Sequence, residues 1–191
     1  MATWVCIGSG PSLTKADCEL VAGLPTIVVN DTWKMAPGIL YAGDLSWWDK
    51  HHASIDRASR ECYTRSSTVA RKYGVKLFEG IRGKYNSGQK AIELAAHLGA
   101  TQILLLGYDC SVKHGIHWHG KHEGGLRNPG VNSVQSWHGE FAEMARKVRL
   151  PPVVNCSRYT ELMCFPRLPL EVVLETNKQM ALMTQWLPQE Q

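Results

Sequence analysis

The segment that most suggests chemistry is a short stretch rich in histidine. Four of the eight histidines of the chain lie between residues 114 and 122. A general base needs an imidazole near the reacting group with a pKa close to the working pH. A zinc site needs three or four ligands at suitable spacing, and the stretch has no cysteine and no strict zinc pattern. A histidine-rich surface loop is the third interpretation. The favoured one is a general base, supplied by His117, His119 or His122, and no metal site is predicted.

Small, acidic and amide residues recur where the apolar runs of the chain end. These strand-end groups are Gly8–Ser12, Asn30-Asp31, Gly43-Asp44, Gly107–Asp109 and Asn155–Ser157. In an open α/β sheet, ligands bind outside the carboxyl ends of the strands. We therefore expect these groups to line one ligand crevice.

The first of these turns is the most informative. Gly8 and Gly10 permit a close approach of the backbone, Pro11 suits the first turn of a helix, and Ser12 can cap that helix or donate its hydroxyl. Free N–H groups at a helix start favour a phosphate or carboxylate. The spacing is neither the dinucleotide fingerprint nor a Walker loop. A tight turn without a ligand is the alternative interpretation.

Three further groups are candidates for ligand contact. Asn86-Ser87-Gly88 precedes a helical pattern and forms either a helix cap or a second set of donors. Arg127 can meet a phosphate or carboxylate. One indole of Trp47-Trp48 can stack on a base or sugar, whereas His51-His52 are predicted to be structural or exposed.

Apolar runs alternate with helical patterns along the chain. The predicted strands lie at 4–7, 26–29, 39–42, 62–64, 75–78, 103–106 and 153–155, and helices are predicted after residue 13 and at 47–55, 89–98 and 134–148. Strands that are apolar throughout and separated by helices predict a parallel sheet covered on both faces. We expect a single Rossmann-like α/β domain over residues 1–175, with a mostly parallel sheet and helices on both faces. Residues 176–191 form a polar tail or a peripheral helix.

Composition excludes several classes of protein. The net charge of +4 is too small to indicate nucleic acid as a partner, and no apolar run reaches the length of about 20 residues that spans a membrane. The six cysteines are far apart and form no CxxC pair. We therefore expect a reduced, cytoplasmic protein without a membrane partner.

Three motifs occur in an order that resembles a known superfamily. They are Gly8–Leu13, Asn86-Ser87-Gly88 before a helix, and Leu106–Asp109. The superfamily contains the bacterial CMP-sialic-acid sialyltransferases of glycosyltransferase family 42 and the archaeal 6-hydroxymethylpterin diphosphokinases. Small phage and prophage proteins are also similar, including the segments His117–Gly120 and Leu126–Pro129.

The resemblance implies roles for particular residues. In the sialyltransferases the matching positions hold the nucleotide of the donor, and here they are Gly8, Ser9, Gly10, Ser12, Asn30, Asp44, Asn86, Ser87 and Gly88. Their general-base histidine comes from the loop after the strand that here ends at Gly107–Asp109, which implies His117, His119 or His122. In the pterin enzymes acidic residues serve Mg²⁺-ATP, and Asp31, Asp44 and Asp109 match that role.

We therefore expect a transferase that uses a nucleotide or nucleotide-sugar donor. A loop histidine would deprotonate the acceptor, backbone N–H groups and Arg127 would stabilise phosphate charge, and no cofactor would be required. One alternative is a diphosphokinase or nucleotide hydrolase that depends on Mg²⁺. Another is a phage accessory protein that binds a nucleotide or a partner without catalysis. The sequence predicts neither the acceptor nor the oligomeric state.

Overall fold

Strands and helices alternate through the residues that the computed structural model describes, which are 2–122, 126 and 128–186. The strands are β1 (Thr3–Ile7), β2 (Thr26–Val29), β3 (Ile39–Tyr41), β4 (Cys62–Thr64), β5 (Lys76–Leu77), β6 (Gln102–Leu106) and β7 (Val153–Asn155). The helices are α1 (Lys15–Leu20), α2 (Leu45–His51), α3 (Ser67–Tyr73), α4 (Ser87–His97), α5 (Val131–Lys147) and α6 (Leu170–Trp186). Short 3₁₀ helices lie at Asn30–Lys34 and His52–Ser54.

The seven strands form one sheet in the order β5-β4-β3-β2-β1-β6-β7. All pairings are parallel. The chain builds outward from β1 as far as β5 and then returns to the other side of β1 with β6. The connections therefore diverge between β1 and β6, and a topological switch point of this kind is where ligands bind in open α/β sheets.

Hydrophobic clusters cover both faces of the sheet. Alternate residues of each strand point to opposite faces, so Val5 and Ile7 join one cluster while Cys6 joins the other. Trp48 and Val69, from α2 and α3, cover the first face. Residues of α4 and α5 cover the second face. The predicted single Rossmann-like α/β domain is confirmed.

The first helix differs from its predicted position. Thr14 caps α1, because its hydroxyl accepts from Asp17 N and the Asp17 carboxylate accepts from Thr14 N in return. Pro11 and Ser12 therefore precede the helix and take no part in its first turn, contrary to the prediction. The helix ends at Leu20.

The C-terminal helix crosses the predicted division at residue 175. Leu170 and Val173 of α6 are buried against the sheet, whereas Met180 and Met183 are exposed. The part of the chain that the structure describes contains no helix with the length and hydrophobicity needed to cross a membrane. The six cysteines are all free thiols.

Candidate functional site

The turn after β1 packs directly against the turn after β6. The N–H groups of Gly8 and Gly10 donate to backbone carbonyls at the end of β6, both at 2.8 Å. A Cβ on Gly10 would lie 2.2 Å from Asp109 Oδ1 and 2.6 Å from the Gly107 carbonyl oxygen. Ser12 N and Oγ donate to the Asp109 carboxylate at 2.8 and 2.6 Å. The two glycines are therefore explained by the contact between the two turns.

Asp109 occupies the position at which the sequence suggested a phosphate. Its carboxylate is 2% exposed. Burial raises its pKa above the ordinary value, although the bonds from Ser12 oppose the rise. The donors of Ser12 are thus already engaged within the chain, and an anionic ligand at this turn would have to displace Asp109.

The turn Asn86-Ser87-Gly88 forms a helix cap, which is one of its two predicted roles. Asn86 Oδ1 accepts from Gln89 N at 3.0 Å and Gln89 Oε1 accepts from Asn86 N at 2.8 Å, which forms a capping box at the start of α4. Ser87 Oγ accepts from Gly43 N at 3.2 Å and joins this turn to the end of β3. The Gly88 carbonyl accepts from the Tyr108 hydroxyl. Asp44 is exposed, and Arg127 lies outside the described residues.

The turn after β2 differs because one of its polar groups has no partner. Asn30 has a φ of 49°, in the left-handed region that side chains other than glycine rarely adopt. Its Oδ1 is buried and accepts no hydrogen bond within the described residues. A buried acceptor without a partner needs an explanation, and a bound ligand is one such explanation.

Asp31, the next residue, is the charged centre of this region. It is 2% exposed. Its carboxylate accepts from Lys34 Nζ at 2.6 Å and from Trp47 Nε1 at 3.2 Å. His51 Nε2 and His122 Nδ1 lie 3.6 and 3.5 Å from its oxygens. Burial raises the pKa of Asp31, but the bonds from Lys34 and Trp47 outweigh it and leave the pKa below its ordinary value. Asp31 is therefore an ionised carboxylate facing two imidazoles.

The loop after β6 crosses the ends of β1 and β2. Trp118 N donates to the Ser9 carbonyl, and Gly120 N donates to the His117 carbonyl, both at 3.0 Å. The φ of Gly120 is 84°, which lets the chain turn back on itself at this point. The turn brings three imidazoles together, with ring centroids 4.5 to 5.0 Å apart. We call them the histidine cluster, which consists of His117, His119 and His122.

One ring nitrogen from each histidine of the cluster lies within 4.8 Å of the other two. Burial, followed by the charges of His122 and His119, lowers the pKa of His117 to about 4. Burial also lowers the pKa values of His119 and His122, although Asp31 opposes this. The three imidazoles are therefore neutral at pH 7, and each carries a nitrogen lone pair.

His51 and Trp47 belong to this region, although the sequence indicated other roles for them. They are four residues apart in α2 and so lie on one face of the helix, where both reach Asp31. That spacing is the signal that could have identified them. Both indoles of Trp47-Trp48 are buried, and both of their N–H groups are engaged. Trp47 Nε1 donates to Asp31, and Trp48 Nε1 donates to the Ala42 carbonyl. Neither indole is free to stack on a ligand.

The predicted site residues thus fall into three neighbouring groups. One contains Ser9, Asn30, Asp31 and the histidine cluster. The second contains Asp44, Asn86, Ser87 and Gly88 around the end of β3, and the third contains Gly8, Gly10, Ser12 and Asp109 between β1 and β6. Only the first group leaves several buried polar atoms without partners in the described chain.

The fold and this site define the class of protein as a single-domain, Rossmann-like α/β protein with a histidine cluster at the carboxyl ends of its strands. Comparison with family models, curated proteins and solved structures yields no match to the chain.

Proposed function

We propose that this protein is a transferase that uses a nucleotide or nucleotide-sugar donor. The donor would lie over the ends of β1 and β2, and the histidine cluster would take the proton from the acceptor. The proposal depends on one observation, which is that the histidine cluster contacts residues after two strands, β1 and β2. Ser9 Oγ is 3.0 Å from His117 Nδ1, and Asp31 is 3.5 Å from His122 Nδ1. The ionised carboxylate of Asp31 favours the protonated forms of His119 and His122, which are the forms that a general base reaches when it accepts a proton.

The reaction would be a displacement at the donor. The acceptor hydroxyl gives its proton to the histidine cluster while its oxygen forms a bond to the transferred group. The bond from that group to the phosphate oxygen of the nucleotide breaks, and the nucleotide leaves with the electron pair. Arg127 would stabilise the charge that develops on the leaving phosphate.

Asn30 would help to bind the donor. Its Oδ1 is the acceptor that the described chain leaves buried and unpaired at the end of β2. A ribose or sugar hydroxyl, or an amino group of a base, would satisfy it.

The arrangement of the acidic residues favours this proposal over a Mg²⁺-dependent diphosphokinase. Asp109 is engaged by Ser12, Asp31 by Lys34 and Trp47, and Asp44 is exposed. Among the described residues, the histidine cluster is the one group of three potential ligands close enough to hold an ion. Magnesium prefers oxygen ligands, which this group does not supply.

A thermal-shift screen of nucleotides and nucleotide-sugars tests the proposal. A donor at 100 times its dissociation constant should stabilise the protein by about 2.7 kcal/mol, a clear rise in melting temperature. Chelator should leave nucleotide binding intact. If no nucleotide or nucleotide-sugar shifts the melting temperature, the proposal is wrong. If a nucleotide binds and is never turned over with any acceptor, the accessory-protein alternative is correct.

Asn30→Gly tests the binding mode. Glycine tolerates the positive φ and removes the amide, so the free protein should remain folded while the affinity for the donor falls by about tenfold, the value of one hydrogen bond. Asn132→Ala, on the exposed start of α5, is the control and should bind as the wild type does. Equal donor affinity in Asn30→Gly and wild type would remove Asn30 from the site.

A further inference from the structure

The histidine cluster contains buried nitrogens that nothing in the described chain satisfies. Nε2 of His117 and Nε2 of His119 are buried without a hydrogen-bond partner. A buried polar atom without a partner carries a desolvation cost, and each such atom in a native protein needs an explanation. The rings of His117 and His119 also contact each other. One ligand that bonds with both Nε2 atoms would therefore explain both.

The opposite nitrogens of the outer two histidines are held by the protein. His117 Nδ1 is bonded to Ser9 Oγ, and His122 Nδ1 faces the Asp31 carboxylate at 3.5 Å. In the tautomer in which Nδ1 carries the proton, Nδ1 of each ring would donate to its oxygen partner, and Nε2 would carry the lone pair for an ion. Metal-ligating histidines almost always have such an outer partner, which sets the tautomer and the orientation of the ring.

We infer that His117, His119 and His122 form a binding site for a divalent transition-metal ion, with zinc as the expected ion. Imidazole is a preferred ligand of zinc, and three protein ligands leave a fourth position for water or a substrate oxygen. Asp31 supplies a negative charge beside the ion, and Trp47 fixes the carboxylate in place.

The distances fit such an ion after a small adjustment. Nitrogens 4.8 Å apart at the corners of a triangle lie about 2.8 Å from its centre, and zinc binds imidazole nitrogen at about 2.1 Å. Each ring therefore has to move by less than about 1 Å. Because all three histidines come from one short loop turned at Gly120, a change in that loop alone can supply this movement.

A bound ion would define how the histidine cluster acts. Zinc lowers the pKa of its bound water to about 7, so part of that water would be ionised to hydroxide at neutral pH, and the hydroxide would take the proton of the acceptor and become water again, in place of a free imidazole. This role rests on the proposed function, whereas the metal site itself does not.

Metal binding by the purified full-length chain tests the inference. The protein is stripped with a chelator, dialysed and titrated with Zn²⁺ by calorimetry, and Co²⁺ absorption reports the ligand geometry. We expect one Zn²⁺ per chain. His117→Ala, His119→Ala and His122→Ala should each weaken binding by more than about 100-fold, and Ser9→Ala by about 10-fold, the lower end of the effect of an outer partner.

His114→Ala is the matched control, because His114 lies in the same loop, is exposed and contacts Tyr159 instead of the cluster. It should bind zinc as the wild type does. Zinc affinity in His119→Ala equal to that of the wild type, or no binding in the wild type, would overturn the inference.

Two measurements keep the test decisive if a variant fails to fold. His119→Gln preserves much of the side-chain volume and should also lose zinc. In the wild type, the ¹⁵N resonances of the three Nε2 atoms should shift on addition of Zn²⁺, and unshifted resonances contradict the site without any variant. Zinc binding in a protein that binds no nucleotide would retain this site and reject the transferase. Nucleotide turnover in a protein that binds no zinc would do the reverse.

Discussion

Two turns at the same edge of the sheet differ in whether their polar groups have hydrogen-bond partners. Between β1 and β6, the donors of Ser12 both reach Asp109, and the backbone of Gly8 and Gly10 is bonded across to the neighbouring turn. Above β2, Asn30 Oδ1 and the Nε2 atoms of His117 and His119 are buried without partners in the described chain. The polar groups of the first turn are paired within the protein, whereas the second region keeps buried polar atoms that the described chain does not pair.

This difference distinguishes side chains of the same chemical type by whether their neighbours are fully hydrogen-bonded. Asp109 and Asp31 are equally buried and both follow a strand. Asp109 holds two segments of backbone together, while Asp31 faces His51 and His122. A buried polar residue at a strand end is therefore a functional candidate when its neighbours retain unused hydrogen-bonding capacity.

The largest expected effect comes from disrupting the turn whose polar groups are paired. Gly10→Ala places a methyl group against Asp109 and the Gly107 carbonyl, and we expect the free energy of unfolding in urea to fall by about 3 kcal/mol. Gly139→Ala, in α5 with no atom within 4 Å of the added Cβ, is the control and should gain up to about 1 kcal/mol. A Gly10→Ala protein as stable as the wild type would show that the two turns are not tightly packed.

In the histidine cluster, removing a polar side chain is expected to change the free energy of unfolding little or to raise it. His119→Leu removes a buried nitrogen that has no partner, so in the presence of chelator the free energy of unfolding should stay within about 1 kcal/mol of the wild type or rise. Ser12→Ala, which deprives Asp109 of a bond, should lose about 2 kcal/mol in the same assay. Equal losses in the two variants would abolish the distinction between the regions.

The smallest expected effect is a dependence of the protein's stability on pH that is caused by Asp109. Burial raises its pKa in the folded protein above the unfolded value of about 3.9. A raised carboxyl pKa contributes stability below the unfolded pKa and loses that contribution as the pH rises through the folded value. The wild type should therefore lose stability relative to Asp109→Asn between pH 4 and pH 7, as measured by urea unfolding at several pH values. A difference that is constant or runs in the opposite direction would contradict the burial of this carboxyl.

The class of fold and the seven strands could be predicted from the sequence, whereas the helix α3 was not predicted. Strands of a covered parallel sheet are apolar throughout, so runs such as Ile27–Val29 and Ile103–Leu106 are visible without knowledge of their neighbours. Helix ends were less accurate, because Thr14 and Ser12 are both suitable caps by type. The capping box with Asp17 determines which of them serves.

The location of the site could be predicted, but its contacts could not. Parallel strands end at one edge of the sheet, which places Ser9, Asn30, Asp31 and the histidine loop at the same edge in any arrangement of this class. His51 was missed because its role depends on the face that α2 presents to β2, and the amino-acid type alone does not indicate that face.

The sequence by itself therefore determined the class of fold, the edge of the sheet that carries the site and the loop that carries the histidines. Only the tertiary structure decided which strand-end residues are already bonded. Ser12 and Asp109 are 97 residues apart, and Ser9 and His117 are 108 residues apart. These partners meet because β6 pairs with β1, and that choice depends on packing across the whole sheet. The same pairing completes one turn and lays the histidine loop over the ends of β1 and β2, where its unpaired nitrogens face one another.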